Sequence, residues 1–207
     1  MNNEINNLPY ISKTALANYL GKNYNTLRNS IAYWKKTGKL TQLKRGFYVF
    51  AEFLKQRDNS RYYPRFLATK MIEPSYLSME TILQDYQMFT DVVYGYSVVT
   101  IKKTSKVKNS FGVFNYQSIK EGLFTGFKEE SYGRMKWYVA SKAKALFDYI
   151  YFNQNKFQDI SKREIEGLRL NLEVMTKSDW QEYETYLSNA PKKMRKVYKL
   201  LKNQKVC

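Results

Sequence analysis

Apolar side chains recur at helical spacing through the first forty residues, and short β-type runs follow. Leu16 and Leu20 are four apart and share one face of a helix predicted over 12–20, with Ser12 as its N-cap. Gly21 stops that helix by accepting a left-handed backbone. Leu27, Ile31 and Trp34 repeat the spacing after Asn23, a good N-cap, and predict a second helix to about residue 37, ended by Gly38. Ala17, Gly21 and Leu27 have the offsets of a helix-turn-helix: a small residue where two helices cross, a glycine in the turn, an apolar anchor in the second helix. The runs 40–43 and 47–50 are joined by Lys44-Arg45-Gly46, which reads as a β-hairpin with a basic tip, the wing of a winged helix. The polar stretch 55–63 reads as a linker, dividing the chain into 1–60 and 61–207.

Beyond the linker the pattern mixes periods. Helices are predicted over 64–72, from Ser75 or Ser78 through Met79, Ile82, Leu83 and Tyr86, and over 141–152, 161–172, 178–187 and 190–202. Strands are predicted over 92–101, 111–119 and 135–139. In the last helix Met194, Val197, Tyr198 and Leu201 fall on one face, which predicts a docked helix with Lys193, Lys196, Lys199 and Lys202 largely exposed. The expected fold class is α+β: an N-terminal winged helix-turn-helix, then a mixed domain ending in several helices.

Charge sharpens this picture. The 207 residues carry a formal charge of +17, concentrated at the two ends: +7 in residues 1–60, +7 in residues 192–207, and +3 in the 131 residues between. Residues 12–50 hold eight Lys or Arg and no acid. Such a stretch on this fold predicts double-stranded DNA as partner, because each neutralised phosphate releases a counterion. Asn25, Arg28 and Asn29, in the first turns of the second helix, suit base edges, with Arg forking onto guanine and Asn onto adenine; Thr26 lies beside them. Lys22, Lys35, Lys36, Lys44 and Arg45 suit phosphates, or the minor groove for the hairpin tip. The basic C-terminal run suits a second DNA contact, an acidic partner, or solvent.

Enzymatic chemistry finds little to build on. There is no histidine, so the commonest general base and every Ser-His triad are excluded, and no Gly-x-x-x-x-Gly-Lys loop. Glu129-Glu130 and Glu164/Glu166 read as solvated charge, and no metal site or cofactor is expected. Lys144 and Asp148 are an i,i+4 pair worth a few tenths of a kcal/mol on a helix surface. The lone cysteine, Cys207, the polar N-terminus and the lack of a long apolar run predict a cytoplasmic protein with no membrane partner.

Several short segments, in order, resemble the AbiE abortive-infection antitoxins (the AbiEi family). Residues 11–50, ending in Arg45-Gly46-Phe47-Tyr48-Val49, resemble that family's winged helix. Glu73-Pro74-Ser75-Tyr76-Leu77-Ser78-Met79-Glu80-Thr81-Ile82-Leu83 is similar to its Pro-Ser-Tyr-Leu-Ser helix entry, and Gln117-Ser118-Ile119 with Phe124-Thr125-Gly126-Phe127 to a strand segment. Ala140-Ser141-Lys142-Ala143-Lys144-Ala145-Leu146-Phe147-Asp148-Tyr149-Ile150-Tyr151 resembles its Pro-Glu-Lys-Ala-Leu-Leu-Asp helix, with Lys142 where the family has glutamate; Leu168-Arg169-Leu170-Asn171-Leu172 fits its later helical part. The resemblance implies an antitoxin of a type IV toxin–antitoxin pair. The N-terminal domain would bind repeats in its own promoter as a repressor. The second domain would counter a cognate nucleotidyltransferase toxin, directly or functionally. The Asp-x-Asp motif of such a toxin is missing here. The residues alone leave a second class open: a plain transcription regulator whose second domain senses a ligand or dimerises.

Overall fold

The computed structural model describes residues 3–55, 62–89, 94–157 and 160–203. In chain order the elements are α1 (Asn3–Asn6), β1 (Ile11–Ser12), α2 (Lys13–Leu20), α3 (Tyr24–Lys36), β2 (Leu40–Lys44), β3 (Phe47–Phe50), α4 (Ala51–Lys55), α5 (Tyr63–Lys70), β4 (Ser75–Leu77), α6 (Met79–Asp85), β5 (Tyr96–Thr100), β6 (Ser105–Asn109), β7 (Gly112–Ser118), β8 (Phe127–Tyr132), β9 (Met135–Ala140), α7 (Lys142–Asn153), α8 (Lys162–Glu166), α9 (Lys177–Tyr186) and α10 (Lys192–Asn203). The class is α+β.

The first elements form as their caps dictate. Ser12 Oγ accepts the Ala15 N–H, and Asn23 Oδ1 accepts the Thr26 N–H, so each helix begins at a side-chain cap. Gly21 closes α2 at φ +61°, a conformation that costs a residue with a Cβ about 1 kcal/mol or more. The antiparallel sheet β1-β3-β2 lies against these helices. Leu16, Leu27, Ile31, Trp34, Tyr48 and Phe50 meet in a small core.

Successive strand residues point to opposite faces, and here both faces of the hairpin are covered. Tyr48 and Phe50 enter the small core, whereas Val49 and Leu43 belong to the large core of the second part. The hairpin packs against β6, Tyr63 Oη donates to the Pro9 carbonyl, and Asn109 Nδ2 donates to the Leu43 carbonyl. The two parts are thus tied through a shared sheet. The expected linker is correspondingly shorter: Tyr63 is buried at the start of α5, while residues 56–61 and the 60/61 boundary lie outside the described residues.

The second sheet has the order β6-β7-β5-β4-β9-β8. Val98 lies opposite Leu77 and Tyr116 in register, and Tyr116 Oη donates to the Ala68 carbonyl of α5. Tyr76, one residue before Leu77, points to the other face and reaches Asp148 of α7. So α5 and α7 cover opposite faces of the sheet.

Several expectations are corrected. Of the two expected starts of α6, Ser78 stands at its N-cap, whereas Ser75 opens a strand over 75–77. The helix expected over 161–172 ends at Glu166: Arg169 takes φ +50°, and Leu170 bridges to Phe89 as isolated β-structure. The helix expected over 178–187 is present as α9, Lys177–Tyr186, with Thr176 as its N-cap. Strands β1, β4, β6 and β8 have no counterpart in the apolar pattern. Residues 92–93 of one expected strand, and Lys205 and Cys207, lie outside the described residues. The last helix docks as its pattern dictates, burying Met194, Val197, Tyr198 and Leu201, except that Lys193 is half-buried and donates to the Phe157 carbonyl at 2.7 Å. Among the described residues no helix is long and apolar enough to cross a membrane.

Candidate functional site

The helix α3 buries Leu27, Ile31 and Trp34 and turns the opposite side to solvent. Asn25, Thr26, Arg28, Asn29, Ala32, Tyr33, Lys35 and Lys36 are all exposed. The side chains of Asn25, Arg28 and Asn29 make no hydrogen bond or ion pair with another described residue. Their donors and acceptors are therefore open to solvent. Lys36 stands on the same side, and Lys35 donates to Gln42 Oε1 at 2.5 Å while remaining exposed. Lys22 is half-buried, donating to Ser30 Oγ at 3.1 Å with its ammonium 5.9 Å from the Trp34 ring. Its charge sits at the entry to α3, where the helix dipole is also positive.

The hairpin tip departs from expectation. Lys44 does not extend to solvent; it donates to the Met71 carbonyl and lies over the Phe47 ring, 4.4 Å from its centroid. Burial pushes its ammonium below the usual lysine range, against an opposing pull from Glu73. The reason is tertiary: the hairpin is clamped between two cores, and its last strand residue meets α5's C-terminal end. Arg45 remains exposed. So α3 gathers Asn25, Thr26, Arg28, Asn29 and Lys36 on one surface with Lys35 at its edge, Lys22 guards its start, and Lys44 is committed elsewhere. Helical spacing does not single out the exposed tyrosines: Tyr24 and Tyr33 on α3 are 56% and 60% exposed, and Lys13 lies 4.9 Å from the Tyr24 ring centroid. Large aromatic side chains at solvent-facing positions of an otherwise polar helix were the available signal.

A second constellation lies in the core of the other part. Lys144 and Asp148 are both wholly buried and paired at 2.7 Å. Asp148 Oδ2 also accepts Ser78 Oγ at 2.7 Å and Tyr76 Oη at 3.0 Å; Lys144 Nζ also donates to the Leu123 carbonyl at 2.8 Å. The rings of Phe147 and Tyr186 lie 4.9 and 5.1 Å from the ammonium. This overturns the reading of an exposed helix pair. Burial pushes the Asp148 carboxyl up and the Lys144 ammonium down, and each partner opposes the other's shift. Three of the segments quoted above for their resemblance meet here: Tyr76 and Ser78 from one, Lys144 and Asp148 from another, and Phe124 and Phe127 from the third, whose rings pack 5.2 and 4.6 Å from Tyr76. With neither ion reaching solvent, the arrangement holds β4, residue 123 and α7 in register rather than presenting a reactive group.

The candidate carboxylate pairs are spent locally. Glu129 pairs with Lys136, Glu130 with Lys128, Glu166 with Lys162, and Glu164 completes a capping box with Ser161. Among the described residues no group of three acidic or sulfur ligands is placed to hold a metal. An open cleft of about 600 Å³ is lined by Arg65, Asp85, Tyr94, Tyr96, Phe111 and Val113, with Arg65 tied to Asp85 at 2.6 Å. Comparison with protein-family models and with curated proteins finds no match to this chain.

Proposed function

We propose that the protein is an antitoxin and transcriptional autorepressor: its N-terminal winged helix binds promoter DNA, and residues 61–207 counter a nucleotidyltransferase toxin. The observation that carries the DNA part is the outward side of α3. There Asn25, Arg28 and Asn29 stand exposed and unbonded on a stretch with no acid, on a helix whose start is fixed by the Asn23 cap. Side chains in that position of such a fold reach base edges in the major groove. Lys35, Lys36, Arg45 and Lys22 supply the phosphate contacts, and Lys44 is withdrawn from them. The antitoxin part rests on the resemblance of the segments around the Lys144–Asp148 cluster.

Two measurements test the two parts. Footprinting on the DNA upstream of the gene should show protection over repeats, and a chain that protects nothing above random sequence refutes the repressor. Co-expression with the product of the adjacent gene should restore growth if that product is toxic; a toxic neighbour left unrelieved refutes the antitoxin. The regulator reading is favoured by one feature, the 600 Å³ cleft with its Arg65–Asp85 pair and aromatic walls. It requires DNA protection together with a harmless neighbour.

A further inference from the structure

Resting on the DNA-binding reading, we infer that Ala32 is a specificity-determining residue of α3, contacting the C5-methyl of a thymine. Asn25, Arg28, Asn29 and Ala32 fall at i, i+3, i+4 and i+7, so they form one stripe, and the structure leaves all four exposed. That spacing is the one by which homeodomain recognition helices read successive bases. From Asn25 to Ala32 the helix rises about 10.5 Å, close to three base-pair steps of about 3.4 Å. Of the flanking positions, Ser30 is otherwise occupied. Ser30 Oγ donates to the Thr26 carbonyl and accepts from Lys22. Lys36 continues the stripe one turn further as a charge suited to phosphate.

The chemistry of the four side chains then differs in a useful way. Asn25 and Asn29 present the paired donor and acceptor that match adenine, and Arg28 presents the fork that matches guanine. Ala32 has only a methyl group. In the major groove the feature it fits best is the thymine methyl, the one methyl group on a base edge there, whereas the donors and acceptors of the other edges would be left unpaired by an apolar contact. Alanine is also the strongest helix former, so its presence needs the stripe position as well as its propensity to point to a ligand. The site α3 reads is therefore rich in A·T pairs, with at least one thymine recognised by its methyl.

The test uses the full chain and a pool of duplexes carrying a randomised core. The wild-type protein enriches a motif. Each thymine of that motif is then replaced by deoxyuridine, which removes the methyl and nothing else. At one position the replacement weakens wild-type binding about fourfold, the worth of one buried methyl-sized group. In Ala32→Gly the same replacement has no further effect, and Ala32→Ser, which keeps a helix-compatible side chain, also loses the preference for thymine there. Circular dichroism confirms that both variants fold. If deoxyuridine weakens no position, or weakens the variants as much as the wild type, the assignment of Ala32 is overturned while the DNA reading stands. A wild-type pool with no enriched motif overturns the DNA reading itself, and this assignment with it.

Discussion

Removing one member of the buried Lys144–Asp148 pair should destabilise the fold by several kcal/mol, with a pH dependence whose sign depends on which member is removed. In Asp148→Leu the Lys144 ammonium keeps only the Leu123 carbonyl as a hydrogen-bond acceptor beside the Phe147 and Tyr186 rings, and two hydroxyls, of Tyr76 and Ser78, lose their acceptor. A lone buried cation escapes its desolvation by releasing its proton. From an ordinary value of 10.5 this costs about 4–5 kcal/mol at pH 7, at about 1.36 kcal/mol per pH unit. The general range for breaking a buried pair is about 3–5 kcal/mol. The folded variant then holds one proton fewer than the unfolded chain, so its stability rises with pH from 7 toward 10 and levels off above the unfolded value. In Lys144→Met the reverse holds. The Asp148 carboxyl, raised by burial and no longer opposed by the ammonium, takes up a proton on folding. That costs about 4 kcal/mol at pH 7, and stability falls as pH rises through the window above 3.8. The double variant Lys144→Met/Asp148→Leu removes both charges and recovers most of the loss. Urea unfolding of the three variants between pH 5 and pH 9 provides the assay. Parallel pH profiles for the two single variants would refute the reasoning, because they would mean that neither ion is buried.

Three further outcomes follow from other contacts. Asp179 sits at 2.8 Å from Lys142 and, as the third residue of α9, accepts the N–H of the cap residue Thr176; burial would raise its carboxyl, but the bonds from Lys142 and Thr176 together hold it below the usual value. Its contribution is therefore present above pH 3.8 and lost as pH falls through the lowered folded value. Asp179→Asn should cost about 1 kcal/mol at pH 7 and flatten the acid arm of a stability profile; an unchanged acid arm counts against it. Gly126 has φ +76°, and a Cβ there would lie 2.1 Å from Tyr186 Oη, which bonds Glu182; Gly126→Ala should lower stability by about 1–3 kcal/mol, and a variant with the wild-type urea midpoint refutes that crowding. Lys44→Met should lower stability by about 1 kcal/mol through loss of the bond to Met71 while leaving the salt dependence of DNA binding unaltered; a slope reduced by about one places Lys44 on a phosphate after all.

What the sequence makes legible is whatever local chemistry decides. Ser12, Gly21 and Asn23 mark the bounds of α2 and α3 because caps and left-handed stops act within a turn. The stripe of α10 is legible because one face meets the core. Strand β8, Phe-Lys-Glu-Glu-Ser-Tyr, is hidden because it is an edge strand held by its ladder to β9 and covered with charge. Strand β4 is too short to show a period, and all three of its residues are buried. The helix expected over 161–172 fails because Gly167 and a left-handed Arg169 outweigh a good capping box. The exposed side of α3 is readable from spacing alone. The fate of Lys44 is not, although Phe47-Tyr48-Val49-Phe50 carries a hint: an unbroken apolar run marks a strand covered on both faces, which a projecting wing would not be. Nor is the Lys144–Asp148 cluster, because its partners Tyr76, Ser78 and Leu123 come from 21 to 72 residues away.

The central claim is that α3 reads DNA. Its most direct test is a binding titration of the full chain on a duplex from upstream of its gene and on a scrambled duplex, at several salt concentrations, with wild type and Arg28→Ala/Asn29→Ala. Wild type should prefer the upstream duplex. The double variant should lose about tenfold or more of that preference while its salt slope stays nearly unchanged, as expected when base contacts go and the phosphate contacts stay. Equal wild-type affinity for the two duplexes, or a double variant that keeps the full preference, would contradict it.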